Sequence, residues 1–391
     1  VACIAGAFPE GVRDAGFVQL LARIDEGILW GATHVEVYFD GQQALTSMLE
    51  AVETARDEVL LESYIFKDDP TGRRFQAALI AAARRGVVVR VLADGVGSLE
   101  TRRSFWKEMR DGGVEARLFR PIGVPLPLFF RRDHRKILVA DRRVAFTGGM
   151  NIGDEYGSSI LPRGGLWRDT HARVEGPPAP ELALVFEEGW MEAGGAPLSV
   201  PALTPAAQRD PRVMVLDSRP GRGQKELASI LASVVAAARE RLWITVAYFA
   251  PRHRALSILG NAARRGVDVR LLLPGKSDIP IVRHAGHALY SGLLRRGVRV
   301  FEYDAAILHA KSLVADGYLS IVGSSNLDFR SLEFNAECNV LILDEPTAKC
   351  MEATFENDLG HAREIQPGPW RKRGRIHRSL DRLARTLSPI L

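Results

Sequence analysis

Hydrophobic positions along the chain switch between two periods, and the switch occurs twice. Over Thr71–Arg85 apolar residues recur at helical spacing, and the run stops at Gly86. Val87–Leu92 follows, apolar at all but one position. The same pair returns as Arg254–Arg265, stopped by Gly266, and Val267–Leu273. Glycine is a favoured stop because it accepts the left-handed backbone that ends a helix. A short β-branched run, apolar on both faces, predicts a strand covered on both sides. Further along, Lys136–Ala140 with Arg142–Thr147 predicts a hairpin, as does Lys311–Ala315 with Tyr318–Gly323. Strands over Thr170–Val174 and Ala336–Leu343 close the two units.

The elements recur because the chain is duplicated. Residues 82–90 (AARRGVVVR) match 262–270 (AARRGVDVR), and Gly113-Val114 matches Gly297-Val298. His134-Arg135-Lys136 matches His309-Ala310-Lys311, and Gly148–Asn151 matches Gly323–Asn326, always in the same order. The pattern predicts an α/β protein of two pseudo-symmetric lobes, each a mixed sheet flanked by helices. The expected divisions are a helical lead-in (1–35), a first lobe (36–193) and a linker rich in Pro, Ala and Gly (194–211). A second lobe (212–364) and a basic tail (365–391) follow.

Composition narrows the class. With 46% hydrophobic and 25% charged residues in 391, the chain is globular rather than disordered. Three sparse cysteines (Cys3, Cys338, Cys350) do not suit a disulfide framework. No window is apolar for long enough to predict a membrane span, and no signal peptide precedes the first lobe. The chain begins at Val1, which leaves open an upstream segment. The net charge is +5, but residues 371–391 carry seven basic side chains against Asp381 alone. The rest of the chain is therefore close to neutral. That argues against a nucleic-acid groove, which needs a basic body, and favours a tail drawn to an anionic surface.

Each half carries His-x-Lys-x4-Asp, then a Gly-rich turn and Asn: His134, Lys136, Asp141, Asn151 and His309, Lys311, Asp316, Asn326. On a strand, residues i and i+2 face the same side, so each imidazole projects beside an ammonium. If the halves pack about a pseudo-two-fold axis, two His, two Lys and two Asn converge. Such a site binds an anion, and a phosphate diester suits it without a metal or other cofactor. One neutral imidazole attacks phosphorus while the opposite imidazolium protonates the leaving oxygen; the roles then reverse. The catalytic set is thus His134, Lys136, Asp141, His309, Lys311 and Asp316, with Asn151 and Asn326 binding phosphate. Within it, Asp141 and Asp316 fall in turns at the far ends of the motif strands, where tying the turn is their expected task. Asp169 and Glu337, at the starts of later strands, are the expected acceptors that orient the imidazoles.

The stretches HRKILVADRRVAFTGGMN and HAKSLVADGYLSIVGSSN resemble the paired motifs of the phospholipase D superfamily. TGGMNIGDEY (147–156), WRDTHARVEGP (167–177) and ILHAKSLVADGYLSIVGSSNLDFRSLEFNAECNV (307–340) are similar to its bacterial cardiolipin synthase branch, over roughly residues 36–360. The resemblance implies a bilobal fold with one site at the lobe interface and a two-step exchange through a covalent phosphohistidine. One phosphatidylglycerol would give its phosphatidyl group to the enzyme, releasing glycerol, and a second would accept it. The family pattern makes His134 the nucleophile; both motifs are equally complete, so spacing alone leaves the choice open. Hydrolysis by water and a nuclease activity are the alternatives within the superfamily. The resemblance is to the shorter, anchor-free type. It implies anionic phospholipid partners and a peripheral place on the cytoplasmic face of a bacterial plasma membrane.

Two segments suit lipid contact. PIGVPLPLFF (121–130) is uncharged and directly precedes the first motif, as a lip either dipping into lipid or packing between lobes. In the tail, Ile376, Leu380, Leu383 and Leu387 recur near one helical turn among arginines, as on an interfacial helix; a helix docked on the body and a disordered tail are the alternatives. Tyr64 and Tyr248 occupy matching positions near the ends of early strands, as pocket-lining or as core tyrosines; Arg330, close after Asn326, adds charge to the site; and His284 and His287 show i, i+3 spacing without an acidic companion in the local sequence.

Overall fold

The computed structural model describes residues 2–157, 166–198 and 210–387. Most of the expected linker lies outside them. Two mixed sheets carry the same strand plan. The first runs in the order 34–38, 171–175, 144–148, 136–140, 58–63, 88–94, 115–119. The second runs 212–218, 337–343, 319–323, 311–315, 241–246, 268–274, 299–303, extended at its edges by 29–31 and 362–364. In each, the motif strand lies antiparallel between the second hairpin strand and the first strand of a three-stranded parallel set.

Both faces of each sheet are covered, which explains the nearly continuous apolar strands. Leu60 enters a core between the sheets, whereas its neighbours Val59 and Leu61 enter the outer core of the first lobe. The inter-sheet core is filled by helices Pro178–Glu192 and Glu345–Leu359, each following the last strand of its repeat. Helices Gly41–Thr54, Pro70–Arg84 and Arg103–Asp111 cover the outside of the first sheet. The N-terminal lead-in crosses to the other lobe: Phe17 and Leu21 enter the outer core of the second lobe, and Leu29–Gly31 pairs with Arg212–Met214.

Each motif strand ends in a tight loop. Asp141 and Arg142 both sit at positive φ, as do Asp316 and Gly317. Asp141 accepts the backbone N–H groups of Arg56, Asp57 and Glu58; Asp316 accepts those of Arg239, Glu240 and Arg241. Each aspartate thus clamps its hairpin to the adjoining strand at the end remote from the motif histidine. These two members of the motif set do not join the imidazoles, because five strand residues separate them from the site.

Candidate active site

Two short backbone bridges across the lobes bring the motifs together. His134 N–H donates to Ala336 and Ala336 N–H to Arg132; His309 N–H donates to Arg168 and Arg168 N–H to Ile307. Each motif histidine is therefore stitched beside the residue that precedes a carboxylate of the other lobe. Nδ1 of His134 lies 3.0 Å from Oε2 of Glu337, and Nδ1 of His309 lies 2.7 Å from Oδ2 of Asp169. The two acceptors sit with the imidazoles, but crosswise. Each Nδ1 therefore faces a carboxylate; Nε2 is the other ring nitrogen, and that of His309 lies 3.0 Å from Lys311 Nζ.

The lysines share the site. Lys136 Nζ donates to the carbonyl of its own His134, and Lys311 Nζ lies 2.8 and 3.0 Å from the ring nitrogens of His309. Burial lowers Lys136 to about 7, helped by the charge of Lys311. It lowers Lys311 to about 8. Burial also lowers both imidazoles, His134 further, because the charges of Lys136, Lys311, His309 and Arg330 all act on it.

The supporting residues break the symmetry. Burial raises Glu337 to about 7, opposed by Lys136 and by the Ser324 hydroxyl, which donates to it; Asn335 donates at 3.4 Å. At the matching position of the first repeat stands Gly149, where a Cβ would lie 2.0 Å from Asp169 Oδ1. Asp169 is pressed against that glycine. Burial opposes its charge, but Lys311, His309 and the N–H of Thr170 outweigh burial and hold it below the usual carboxylate range. His309 thus faces a carboxylate whose partners hold it charged, whereas His134 faces one whose burial works against its charge.

Asn151 and Asn326 reach the site with their carbonyls already used: Asn151 accepts from Ile65 N–H and Asn326 from Tyr248 N–H. The Asn151 amide donates to the Tyr156 hydroxyl at 3.3 Å. Both asparagines therefore tie the Gly-rich turns to the strand ends that carry Tyr64 and Tyr248. The Tyr64 ring is 4.9 Å from that of His134, and the Tyr248 ring 6.2 Å from that of His309. Sequence reasoning missed Tyr156, whose hydroxyl lies 3.1 Å from His309 Nδ1, and Trp167, whose ring packs 5.3 Å from the same imidazole. Both lie in stretches 147–156 and 167–177, but nothing in their spacing marks them. It also missed Arg135, buried between the lobes and paired with Asp217 at 2.5 Å.

A family model described as "Cardiolipin synthase, PLD-like domain" matches residues 48–158 and 231–359, more than half of the chain. The chain belongs to the phospholipase D superfamily, in its cardiolipin synthase branch. Cardiolipin synthase 1 of Bacillus anthracis is 32% identical, across 98% of this chain and 77% of its own length. Cardiolipin synthase A of Pseudomonas syringae is 36% identical, across 91% of this chain and 75% of its own. In fold, the chain superposes on the crystal structure of a phosphatidylserine synthase from Haemophilus influenzae with a TM-score of 0.75, at 15% identity and over 96% of this chain and all of that one. As a cardiolipin synthase family member it is an enzyme of phospholipid biosynthesis, a transferase. Among its described residues no helix is long and apolar enough to cross a membrane.

Proposed function

We propose that the enzyme forms cardiolipin from two phosphatidylglycerols through His134. Nε2 of neutral His134 attacks phosphorus, the bond from phosphorus to the glycerol oxygen breaks, and imidazolium His309 gives that oxygen its proton. Neutral His309 then takes the proton from a hydroxyl of the second phosphatidylglycerol. The oxygen attacks phosphorus, and the bond to His134 breaks. Lys136 and Lys311 neutralise the nonbridging oxygens, which gain charge in both transition states.

The observation that carries this reading is the crossed pairing of two imidazoles with two unequal carboxylates. Charged Asp169 favours the imidazolium form of His309, the proton donor. The weaker charge on Glu337 and the surrounding cations keep His134 neutral, with its lone pair free. The test is product analysis from phosphatidylglycerol vesicles. The reading requires one glycerol released per cardiolipin formed, and loss of both products in His134→Asn. Phosphatidic acid in place of cardiolipin would instead assign water as the acceptor.

The same reading divides the chain into lead-in, two lobes, linker and tail at residues 35, 193, 211 and 364. It also places the enzyme peripherally on the cytoplasmic face of a bacterial plasma membrane. The bacterial origin of the relatives and the free thiols Cys338 and Cys350 support that placement.

A further inference from the structure

The C-terminal helix Arg375–Leu387 docks on helix Pro280–Leu294 through a buried charge. Asp381 is 2% exposed. Its Oδ1 lies 2.8 Å from Nδ1 of His284 and 3.7 Å from Nδ1 of His287, and its Oδ2 lies 3.0 Å from Arg373. Glu302 takes the other nitrogen of His287 at 2.8 Å. The acidic companion that the local sequence around the two histidines lacks is thus supplied by the tail. Each carboxylate oxygen of Asp381 already faces a protein cation or imidazole, which makes the cluster a clamp. Ala384 packs with Ala250 and Ala285, and Arg385 donates to the carbonyls of Ala250 and Pro251 at 3.1 and 2.6 Å. Those carbonyls lie two and three residues past Tyr248, so the tail is tied to the loop that leaves the site.

The clamp leaves the opposite face uncovered. Ile376, Leu380 and Leu383 are 76%, 47% and 60% exposed, and their i, i+4, i+7 spacing makes one stripe. Arg378 and Arg382 on the same helix are exposed as well. Ile279 and Ile281 are exposed too, at the start of the helix on which the tail docks; they follow Asp278, which accepts from the Tyr248 hydroxyl. Ile122 and Phe130 are exposed in the segment before His134. Seven of the ten exposed large hydrophobic side chains among the described residues are these, so apolar exposure is concentrated in the tail helix, the start of the helix it docks on and the segment that leads into His134.

We propose that the tail is a clamped interfacial helix that docks on an anionic phospholipid bilayer and sets the mouth of the site against the leaflet. The inference rests on the lipid-transfer reading of that site and adds the surface that delivers the substrate. The aliphatic stripe enters the boundary between headgroups and acyl chains while the arginines meet anionic headgroups. Because the helix is already folded on the body, binding orders little new chain.

The test compares the parent chain with Ile376→Ser/Leu380→Ser/Leu383→Ser, a triple variant at exposed positions. Co-sedimentation uses vesicles of phosphatidylglycerol in phosphatidylcholine, and of phosphatidylcholine alone. The expected result is about a tenfold or greater loss of binding to the anionic vesicles. Turnover of vesicle-borne substrate should fall in proportion, while turnover of a short-chain, water-soluble phosphodiester and the melting temperature stay unchanged. Parent-level binding by the variant overturns the proposal, as does equal binding of the parent to both vesicle types. A variant that only loses a dimer on size exclusion assigns the stripe to a second copy of the chain and also overturns it. Failure of the parent to turn over the soluble diester would count instead against the lipid-transfer reading.

Discussion

Nδ1 of His134 lies 3.0 Å from Oε2 of Glu337, 203 residues further along the chain and in the opposite lobe. Neither lobe completes an imidazole–carboxylate pair alone; each supplies the carboxylate for the imidazole of the other. In the proposed mechanism the two pairs serve different steps, so they should fail differently. Glu337→Gln should slow formation of the covalent intermediate by about 10²- to 10⁴-fold whatever the leaving group. Asp169→Asn should be comparably slow with phosphatidylglycerol, yet recover most of its first-step rate with a nitrophenyl ester, which needs no proton. Pre-steady-state release of nitrophenol separates the two. Equal rescue of both variants would contradict the division of roles.

Ser324 supports the carboxylate of only one pair. Its hydroxyl donates to Glu337, and Gly149 leaves Asp169 without a counterpart. Ser324→Ala removes a donor that favours the charged carboxylate, so Glu337 should titrate above its present value of about 7. The acidic limb of the kcat/KM profile should move to higher pH, with about a tenfold loss of rate at neutral pH. Ser324→Thr, which keeps the hydroxyl, should restore the parent profile. A rate loss with an unmoved limb would reduce Ser324 to a packing role.

Anion binding should weaken as pH rises. Lys136 and Lys311, lowered to about 7 and about 8, are charged below those values and neutral above them. Inorganic phosphate should therefore protect the empty enzyme against thermal unfolding at about pH 6 and much less at about pH 9. Lys136→Met should flatten the dependence. Protection that grows with pH would contradict the assignment.

Asp141 should matter to stability and not to chemistry. Burial raises its carboxyl, but the N–H groups of Glu58, Asp57 and Arg56 outweigh that and hold it below its ordinary value. Its stabilising contribution is therefore present above the ordinary carboxylate range and lost as pH falls through the lowered value. Asp141→Ala should cost about 1–3 kcal/mol in urea unfolding at neutral pH, while the folded variant keeps the parent pH–rate profile. Loss of the chemical step with intact folding would make Asp141 a proton carrier after all.

Much of this was legible in the sequence, because duplication writes each element twice. The motif strand Lys136–Ala140, its hairpin partner and the closing strand at Glu337 fall within a residue or two of the periodic pattern. Asp169 and Glu337 were visible as acceptors, but which imidazole each serves was not. Spacing along one repeat says nothing about a bridge between lobes such as that from His134 to Ala336. Tyr156 reads as an ordinary core tyrosine until His309 arrives from the other half. Asp381 reads as a stray acid in a basic tail, since its histidines lie almost a hundred residues upstream.

The most direct test of the crossed-imidazole account is to trap the intermediate. The enzyme should be quenched during turnover of phosphatidylglycerol, and its peptides sequenced by mass spectrometry under alkaline conditions that preserve phosphoramidates. The account predicts a phosphatidyl adduct on His134, absent in His134→Asn and still formed, more slowly, in His309→Asn. An adduct on His309 that survives His134→Asn would contradict it.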